Sequence, residues 1–336
     1  MTVHCYTSAT FAYLDRARVL GQTIRTHHPD WHFTLCLPDE APPGVTLDFA
    51  DEPFDDVLLM QELDLPDLGP WIFQHDIVEL CTAVKGAAMV HLLDKGADKV
   101  VYLDPDIAIM SPLDEVVHML DEHDVVLTPH LLQPATERLE ILDNEIAALK
   151  HGVYNLGFAA VASRHEGRRF AEWWRDRLTD FCVDDVPNGL FTDQRWCDLA
   201  PAFFPTLGIL RHPGYNVASW NLGQRALTFD ASGELLAAGE PLRFFHFTKV
   251  TREGEKMIER YARESTVPIE LMRWYRAQLD LAGVDGLEPD WWAYGTYDDG
   301  ERIPRSHRRA YRESPKLRAQ HPEPFASAAP FEALLG

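Results

Sequence analysis

Hydrophobic and polar positions at the start of the chain alternate between strand-like and helix-like patterns. The runs VHCYTS and WHFTLCLP are rich in β-branched and aromatic residues, and FAYLDRARVLGQTIRTHH between them carries apolar residues at helical spacing. A third short strand is predicted at residues 57–60, after a connection rich in Pro and Asp. This order of strand, helix and strand is typical of a parallel sheet.

The pattern continues through the middle of the chain. Residues 72–93 predict one long amphipathic helix, and the apolar run that follows predicts a buried strand ending at Asp104. Further helices are predicted at 114–123, 136–150, 164–181 and 193–203, and further strands at 124–132, 153–162 and 242–247.

These elements predict an α/β fold with a mainly parallel, twisted sheet flanked by helices on both faces. Beyond about residue 255 the sequence changes to helices and loops rich in Pro and Trp. We therefore predict a domain at 1–254 and a helical and irregular C-terminal extension at 255–336. No internal repeat is visible.

Composition narrows the class of partner. The chain has 336 residues, 46% of them apolar, and a formal net charge of −22, which disfavours nucleic acid and anionic membranes as partners, although solubility alone also explains such a charge. The first residues lack a basic region before a long apolar core, and no run reaches about 18 apolar residues. We expect a cytoplasmic protein without a transmembrane segment. Its odd number of cysteines without CxxC spacing predicts buried, reduced thiols.

The segment VVYLDPDIAIM carries the clearest chemistry. Asp104 and Asp106 follow the apolar strand at its carboxyl end, where open α/β sheets bind ligands. Two carboxylates on either side of a proline can direct oxygens toward one hard cation that also holds phosphate oxygens. A bare pair of this kind is also common as an Asp-Pro turn that ends a strand.

Three later segments place polar residues in apolar or turn-like surroundings: VYNLGFAAV with Asn155, FTDQRW with Asp193 and Gln194, and LRFFHFTKV with His246. Each has a purely structural interpretation. Asn-Leu-Gly can form a bulge, Thr-Asp can cap a helix, and a histidine on an apolar strand can be a hydrogen-bonded core residue.

In this order along the chain, YLDPDI and the three later segments resemble the motifs of GT-A glycosyltransferases, particularly the retaining family 8-like enzymes. The resemblance covers residues 1–252 approximately. It implies a nucleotide-sugar half at 1–106 and an acceptor half at 107–254. It also implies that Asp104 contacts the metal or the ribose, and that Asp106 and His246 bind the metal. Two carboxylates and an imidazole suit Mn²⁺, with Mg²⁺ as the other choice.

The resemblance implies further roles. Asn155 would contact a sugar hydroxyl or the acceptor, and Asp193 and Gln194 would lie beside the anomeric carbon and the acceptor hydroxyl. Lys85, in the helix before the strand that ends at Asp104, is a candidate contact to the nucleotide sugar. Thr7, Ser8, Tyr13 and Arg18, at or after the end of the first strand, are candidates for the base and ribose. Lys249 and Arg252 are candidates for the diphosphate. Lys249 stands where the family commonly has glycine.

The expected reaction is transfer of a hexose from a UDP-sugar to a hydroxyl, with retention of configuration. The acceptor is left open among a glycan, a lipid-linked sugar, a protein and a small metabolite. The aromatic and amide groups of GYNVASWNL are suited to stacking on and hydrogen-bonding sugars, and core packing of the aromatics explains them equally well. The C-terminal WWAYGTYDDGERIPRSHRRAYRE is a candidate for an acceptor-side wall. A dehydrogenase is disfavoured because no GxGxxG follows the first strand, and a phosphoesterase would need more metal ligands. A non-catalytic nucleotide-sugar or glycan-binding protein on the same fold stays open.

Overall fold

The computed structural model describes residues 2–46, 48–248, 250, 252–262, 265–284 and 286–335. The strands are β1 (Val3–Ser8), β2 (His32–Leu37), β3 (Asp56–Leu59), β4 (Lys99–Leu103), β5 (Ile107–Ile109), β6 (Val125–Pro129), β7 (Tyr154–Ala162), β8 (Asp184–Asp185), β9 (Leu190–Phe191), β10 (Leu207–Ile209), β11 (Leu227–Phe229), β12 (Leu235–Ala237), β13 (Glu240–Pro241) and β14 (Phe244–His246).

The helices are α1 (Leu14–His27), α2 (Leu68–Phe73), α3 (Ile77–Asp94), α4 (Asp114–Glu122), α5 (Arg138–Glu140), α6 (Ile146–His151), α7 (His165–Phe181), α8 (Ala200–Phe203), α9 (Arg252–Tyr261), α10 (Val267–Ala282), α11 (Arg305–Glu313), α12 (Pro315–Gln320) and α13 (Ala329–Leu335). A wider helical turn, Ile141–Glu145, joins α5 to α6.

The central sheet has, within the described residues, seven strands in the order β10-β6-β7-β4-β1-β2-β3. Strands β1, β2, β3 and β4 are parallel, β10 is parallel to β6, and β7 runs antiparallel to both of its neighbours. The carboxyl ends of β1 and β4 therefore meet at one edge of the sheet. This arrangement confirms the predicted α/β class with a mainly parallel sheet.

Helices cover both faces of the sheet because successive side chains of a strand point to opposite faces. In β4, Val100 and Tyr102 belong to a core formed with α2, α3 and α7. Val101 and Leu103 belong to a second core formed with α1 and α4. All five residues of β4 are buried, as expected for a central strand covered on both sides.

The long helix predicted at 72–93 is divided into α2 and α3. Asp76 ends the continuity, since its carboxylate accepts a hydrogen bond from the Glu79 N–H while the Glu79 carboxylate accepts one from the Asp76 N–H. This reciprocal cap starts a new helix at Ile77. The prediction of one helix was wrong because the capping signal lay inside an apolar periodic run.

Helix α3 is also less amphipathic than predicted, because it lies between the sheet and α7 and is buried on nearly all sides. Gly86 allows this close packing: a Cβ there would lie 2.5 Å from the backbone N and Cα of Arg175. Lys85, the residue before Gly86, is buried at 5% exposure and needs polar partners inside the protein.

A small antiparallel ladder lies beside the central sheet. Strand β5 follows the Asp-Pro-Asp turn and pairs with β14, with Ile107 opposite His246. The Phe247 N–H donates to the Asp106 carbonyl over 2.8 Å. The strand predicted at 242–247 therefore exists but belongs to this ladder.

Residues beyond α9 pack against the first half of the chain. Phe73 at the end of α2 is surrounded by Tyr297, Tyr311, Phe325 and Phe331. Helix α9 runs across the predicted boundary at 254/255, and the division into domains stays a prediction. The five cysteines carry unpaired thiols. No helix in the described part of the chain is long and apolar enough to cross a membrane.

Candidate active site

Asp104, Asp106 and His246 form a cluster at the carboxyl end of β4, and one ligand atom from each lies within 4.8 Å of the others. The His246 Nε2 atom is 3.0 Å from Asp106 Oδ1 and 3.7 Å from Asp104 Oδ2. His246 is buried, whereas the two carboxylates are partly exposed. The cluster therefore has a buried side and a side open to a ligand.

The donor set fits a divalent cation. Neighbouring ligands of an octahedral cation bound at about 2.0–2.1 Å lie about 3 Å apart, which is close to the observed separations. Two carboxylates and a neutral imidazole suit Mn²⁺ or Mg²⁺. The carboxylates also favour a charged imidazole: burial lowers the pKa of His246, but Asp106 and Asp104 outweigh burial and raise it overall.

Local backbone geometry explains how the sequence builds this cluster. Pro105 follows Asp104, and the Ile107 N–H donates to the Asp104 carbonyl over 3.1 Å, which closes a tight turn with proline at its second position. The turn leads the chain directly into β5. Because β5 pairs with β14, His246 is brought beside Asp106 from far along the sequence.

The two oxygens of Asp104 have different surroundings. Oδ1 accepts hydrogen bonds from Tyr102 Oη at 2.5 Å and from Lys85 Nζ at 3.0 Å. Oδ2 faces His246. Tyr102 and Lys85 therefore fix the carboxylate through one oxygen and leave the other for a cation.

Lys85 connects the cluster to Asp193. Its Nζ donates to Asp193 Oδ2 at 3.0 Å and to the Leu156 carbonyl at 3.2 Å. Burial opposes the charge of Lys85, but Asp104 and Asp193 outweigh it and raise the pKa of the ammonium group. Burial raises the pKa of Asp193, and Lys85 opposes that shift. The buried ammonium group of Lys85 therefore lies between the carboxylates of Asp104 and Asp193.

Asn155 and Gln194 complete the same region. Asn155 Oδ1 accepts the Gly157 N–H at 3.0 Å, and the Gly157 carbonyl accepts the Asp104 N–H at 2.8 Å. Gln194 accepts the Leu156 N–H at 3.2 Å and donates to the His151 carbonyl at 2.9 Å. Both side chains are therefore anchored to β7 or to the chain just before it.

Gly157 allows the backbone of β7 to lie close to the His246 imidazole. A Cβ at this position would lie 2.6 Å from His246 Cε1 and 2.7 Å from Asn155 Oδ1. A side chain at position 157 would displace the imidazole, so His246 can occupy its observed position only if residue 157 is glycine.

The helix predicted at 193–203 is a short tight turn, Arg195–Leu199, followed by α8. Thr192 and Asp193 do not cap it. Thr192 has a left-handed backbone with φ of 44° and its hydroxyl donates to Asp193 Oδ1, while Asp193 is engaged by Lys85. The capping interpretation was wrong because the carboxylate bonds a buried lysine instead.

Thr7 and Ser8 lie at the end of β1, on the same edge of the sheet as Asp104. The register pairs Tyr6 with Tyr102, and its continuation places Ser8 level with Asp104. Both hydroxyls are buried and have no hydrogen-bond partner within the described residues. Unpaired buried hydroxyls are costly, so they fit a ligand that supplies polar groups at this edge.

Tyr13 and Arg18 are not brought into the cluster. Tyr13 is largely exposed and stacks with the Arg16 guanidinium. Arg18 binds both carboxylate oxygens of Glu52 at 2.7 and 2.5 Å and also donates to the Ala282 carbonyl. Lys249 lies outside the described residues, and Arg252 begins α9 with a side chain that is likewise outside them.

The GYNVASWNL segment contributes Trp220, whose ring centroid lies 5.7 Å from that of His246. Asn221 has a structural task, since its side chain bonds the Ala218 N–H and the carbonyls of His130 and Asn216. Tyr215 donates to Glu115, behind the ladder.

The C-terminal aromatic segment contacts residues of the first half of the chain. The Trp291 indole N–H donates to the Glu40 carbonyl, and the Tyr294 hydroxyl donates to the Glu40 carboxylate. Asp39 accepts the N–H groups of Ala293 and Phe11, which links this segment to the turn after β1. The suggested acceptor-side wall stays a prediction for this segment.

Sequence reasoning missed two residues that organise the site, Tyr102 and His130. Tyr102 precedes Asp104 by two positions and so lies on the same face of the strand, which was a usable signal. His130, at the end of β6, lies 3.1 Å through Nε2 from Asn155 Nδ2. No local pattern distinguished it.

Comparison with known proteins finds two relatives in Bacillus subtilis (strain 168), both uncharacterised. YfnF is 26% identical over 176 residues, which cover 52% of this chain and 57% of YfnF. YfnD is 22% identical over 262 residues, which cover 76% of this chain and 80% of YfnD. The match to YfnF thus spans little more than half of that protein. No family model matches the chain.

Among solved structures, the galactosyltransferase LgtC in complex with donor and acceptor sugar analogs superposes with a TM-score of 0.47 at 13% identity, covering 86% of this chain and 99% of LgtC. A glycosyltransferase involved in the glycosylation of the major capsid of PBCV-1 superposes with a TM-score of 0.42 at 10% identity, covering 77% of this chain and 100% of that one.

Proposed function

We propose that this chain is a metal-dependent glycosyltransferase of the GT-A type that moves a hexose from a UDP-sugar to a hydroxyl acceptor, with retention of anomeric configuration. The observation that carries the proposal is the meeting of Asp104, Asp106 and His246 at the carboxyl end of β4. Open α/β sheets bind nucleotides at this edge.

The three clustered side chains would hold Mn²⁺ or Mg²⁺, which supplies Lewis-acid neutralisation of a departing diphosphate. Asp104 is oriented for this by Tyr102 and Lys85, which occupy only one of its oxygens. The unpaired hydroxyls of Thr7 and Ser8 would receive ribose or base groups at the same edge. Lys249 and Arg252 remain proposed contacts to the diphosphate.

Asp193 would act on the sugar through its negative charge. A carboxylate fixed by Lys85 in a buried setting favours positive charge that develops at the anomeric carbon as the diphosphate leaves. Asn155 and Gln194 would hold sugar or acceptor hydroxyls from the adjacent β7.

Retention is proposed with attack on the same face that the diphosphate leaves, where the leaving phosphate oxygen takes the acceptor proton. Asp193, which Lys85 joins to Asp104, is 4% exposed and already bonded by Lys85 and Thr192. Such a carboxylate is a poor candidate for the covalent nucleophile of a double displacement. The configuration of the product at the anomeric carbon, read by NMR, distinguishes retention from inversion.

The first test is release of nucleoside diphosphate from a panel of UDP- and GDP-sugars, with Mn²⁺ and with a chelator. The wild type is compared with Asp106→Ala and with Asp114→Ala, whose carboxylate is exposed at the start of α4. Metal-dependent cleavage of one donor, lost only in Asp106→Ala, supports the proposal. Metal-dependent binding of a donor without turnover in the presence of candidate acceptors would favour a non-catalytic binding protein.

A further inference from the structure

We propose that His130 is a positioning residue that, together with the Gly157 N–H, fixes the direction in which the Asn155 carboxamide presents its NH₂ group to the substrate. The inference rests on the proposed function, in which Asn155 contacts a sugar or the acceptor. His130 is not one of the clustered ligands, and in this proposal it does not contact the substrate.

His130 is held by hydrogen bonds of its backbone and of both ring nitrogens. Its N–H donates to the Val153 carbonyl at 3.0 Å and its carbonyl accepts from Asn221 Nδ2 at 3.2 Å. The imidazole Nδ1 lies 3.2 Å from the same Val153 carbonyl, and Nε2 lies 3.1 Å from Asn155 Nδ2. The ring therefore has one partner at each nitrogen.

These partners define the tautomer. A carbonyl oxygen can only accept, so the proton of the neutral ring is on Nδ1, and Nε2 presents a lone pair. Asn155 must then offer its NH₂ group to His130 and its oxygen to the Gly157 N–H. The two ends of an amide have nearly the same size, so hydrogen bonds and not packing make this choice.

The surroundings keep the ring neutral. Burial lowers the pKa of His130 to about 4, and the nearby His246, His151 and Arg225 act in the same direction, while the Val153 carbonyl opposes them. An imidazolium would carry a proton on Nε2 and would repel the Asn155 NH₂ group. Neutrality is thus part of the positioning.

As a consequence, the NH₂ group of Asn155 is held in a fixed direction as a hydrogen-bond donor. Asn155 Nδ2 carries two hydrogens, and one of them is used by His130. The second is left to donate to an oxygen of the substrate, while Asn155 Oδ1 is committed to Gly157, whose carbonyl holds the Asp104 N–H. Loss of His130 would leave the amide held only through Oδ1 by the Gly157 N–H, and the direction of the NH₂ group toward the substrate would no longer be fixed.

Two substitutions separate positioning from packing. The Oε1 of His130→Gln can take the place of Nε2 and accept from Asn155, whereas His130→Asn keeps only a donor near Nδ1 for Val153. We expect His130→Asn to lower kcat by about tenfold to a hundredfold, as for loss of one oriented hydrogen bond in the transition state, with Mn²⁺ affinity unchanged. We expect His130→Gln to retain activity within about threefold of the wild type. Equal losses in both variants, at equal thermal stability, would overturn the proposal.

The second readout does not depend on turnover. Long-range ¹H–¹⁵N correlation of the histidine rings should show His130 as the Nδ1-protonated neutral tautomer at pH 7. In Asn155→Asp the introduced carboxylate faces Nε2, and we expect the ring to take a second proton and appear as imidazolium. A proton on Nε2 in the wild type, or a neutral ring in Asn155→Asp, would contradict the positioning. If no donor were cleaved but both spectra were as expected, the proposed reaction would fail and the positioning of Asn155 would stand.

Discussion

The ammonium group of Lys85 lies 3.0 Å from the carboxylate of Asp193. The same nitrogen lies 3.0 Å from Asp104, so one buried cation joins the proposed metal ligand to the proposed sugar-side carboxylate. The close packing of α3 against α7 at Gly86 places this lysine inside the protein. The site is therefore stable only while the positive charge of Lys85 offsets the negative charges of Asp104 and Asp193.

Replacing Lys85 with Met leaves two carboxylates without their buried partner. We expect the free energy of unfolding to fall by about 3 kcal/mol, measured by urea denaturation, because removing one partner of a buried ion pair strands the other charge. Adding Asp193→Asn should restore part of the loss. Lys95→Met, at an exposed lysine after the same helix, is the control and should change stability by less than about 0.5 kcal/mol. Equal effects at Lys85 and Lys95 would show that the bridge does not stabilise the fold.

Replacing Gly157 with Ala tests the packing of His246. The new Cβ would lie 2.6 Å from the imidazole, so the ring must move away from the carboxylates. We expect Mn²⁺ affinity, measured by calorimetry, to fall by about tenfold to a hundredfold, as when the positioning of a metal ligand is disturbed. Gly69→Ala is the matched control, since a Cβ there has no heavy atom within 4 Å. Unchanged Mn²⁺ affinity in Gly157→Ala would show that His246 is not a metal ligand.

The C-terminal extension is tied to the first half of the chain by Arg308. This buried guanidinium donates to the carbonyls of Phe73, His75 and Tyr294. We expect Arg308→Ala to destabilise the protein by about 2–4 kcal/mol and to speed proteolysis within residues 286–335, because buried carbonyls lose their donor. Arg309→Ala, on the same helix but with an exposed partner in Glu313, should leave stability nearly unchanged. If both variants were digested at the same rate, the Arg308 hydrogen bonds would not be what holds the C-terminal extension against the first half of the chain.

The pattern of hydrophobic positions was sufficient for most of the architecture. It predicted the first three strands, the buried strand before Asp104, and the α/β class, because strands and helices of a layered fold differ in period. It did not reveal the break at Asp76, since a capping signal within an apolar run is not distinguishable from an ordinary polar position. Nor did it show that β7 is antiparallel, because direction depends on the connection and not on the strand itself.

The site was predictable where motifs were local and less so where contacts were distant. Asp104, Asp106 and His246 do meet, as the resemblance implied, and Lys85, Asn155, Asp193 and Gln194 lie around them. Tyr13 and Arg18 stay proposed contacts to the base and ribose. Arg18 is engaged by Glu52, which no spacing rule in the sequence connects to it.

The central claim is that cleavage of a sugar nucleotide depends on a cation held at Asp106. The direct measurement is a Mn²⁺ titration of diphosphate release, with the donor that the wild type cleaves, comparing the wild type, Asp106→Ala and Asp114→Ala. We predict saturable activation by Mn²⁺ in the wild type and in Asp114→Ala, abolition by chelator, and at least a hundredfold lower rate in Asp106→Ala at saturating Mn²⁺, on the order of the loss of one strong electrostatic contact in the transition state. An unchanged rate and an unchanged Mn²⁺ dependence in Asp106→Ala would contradict the account.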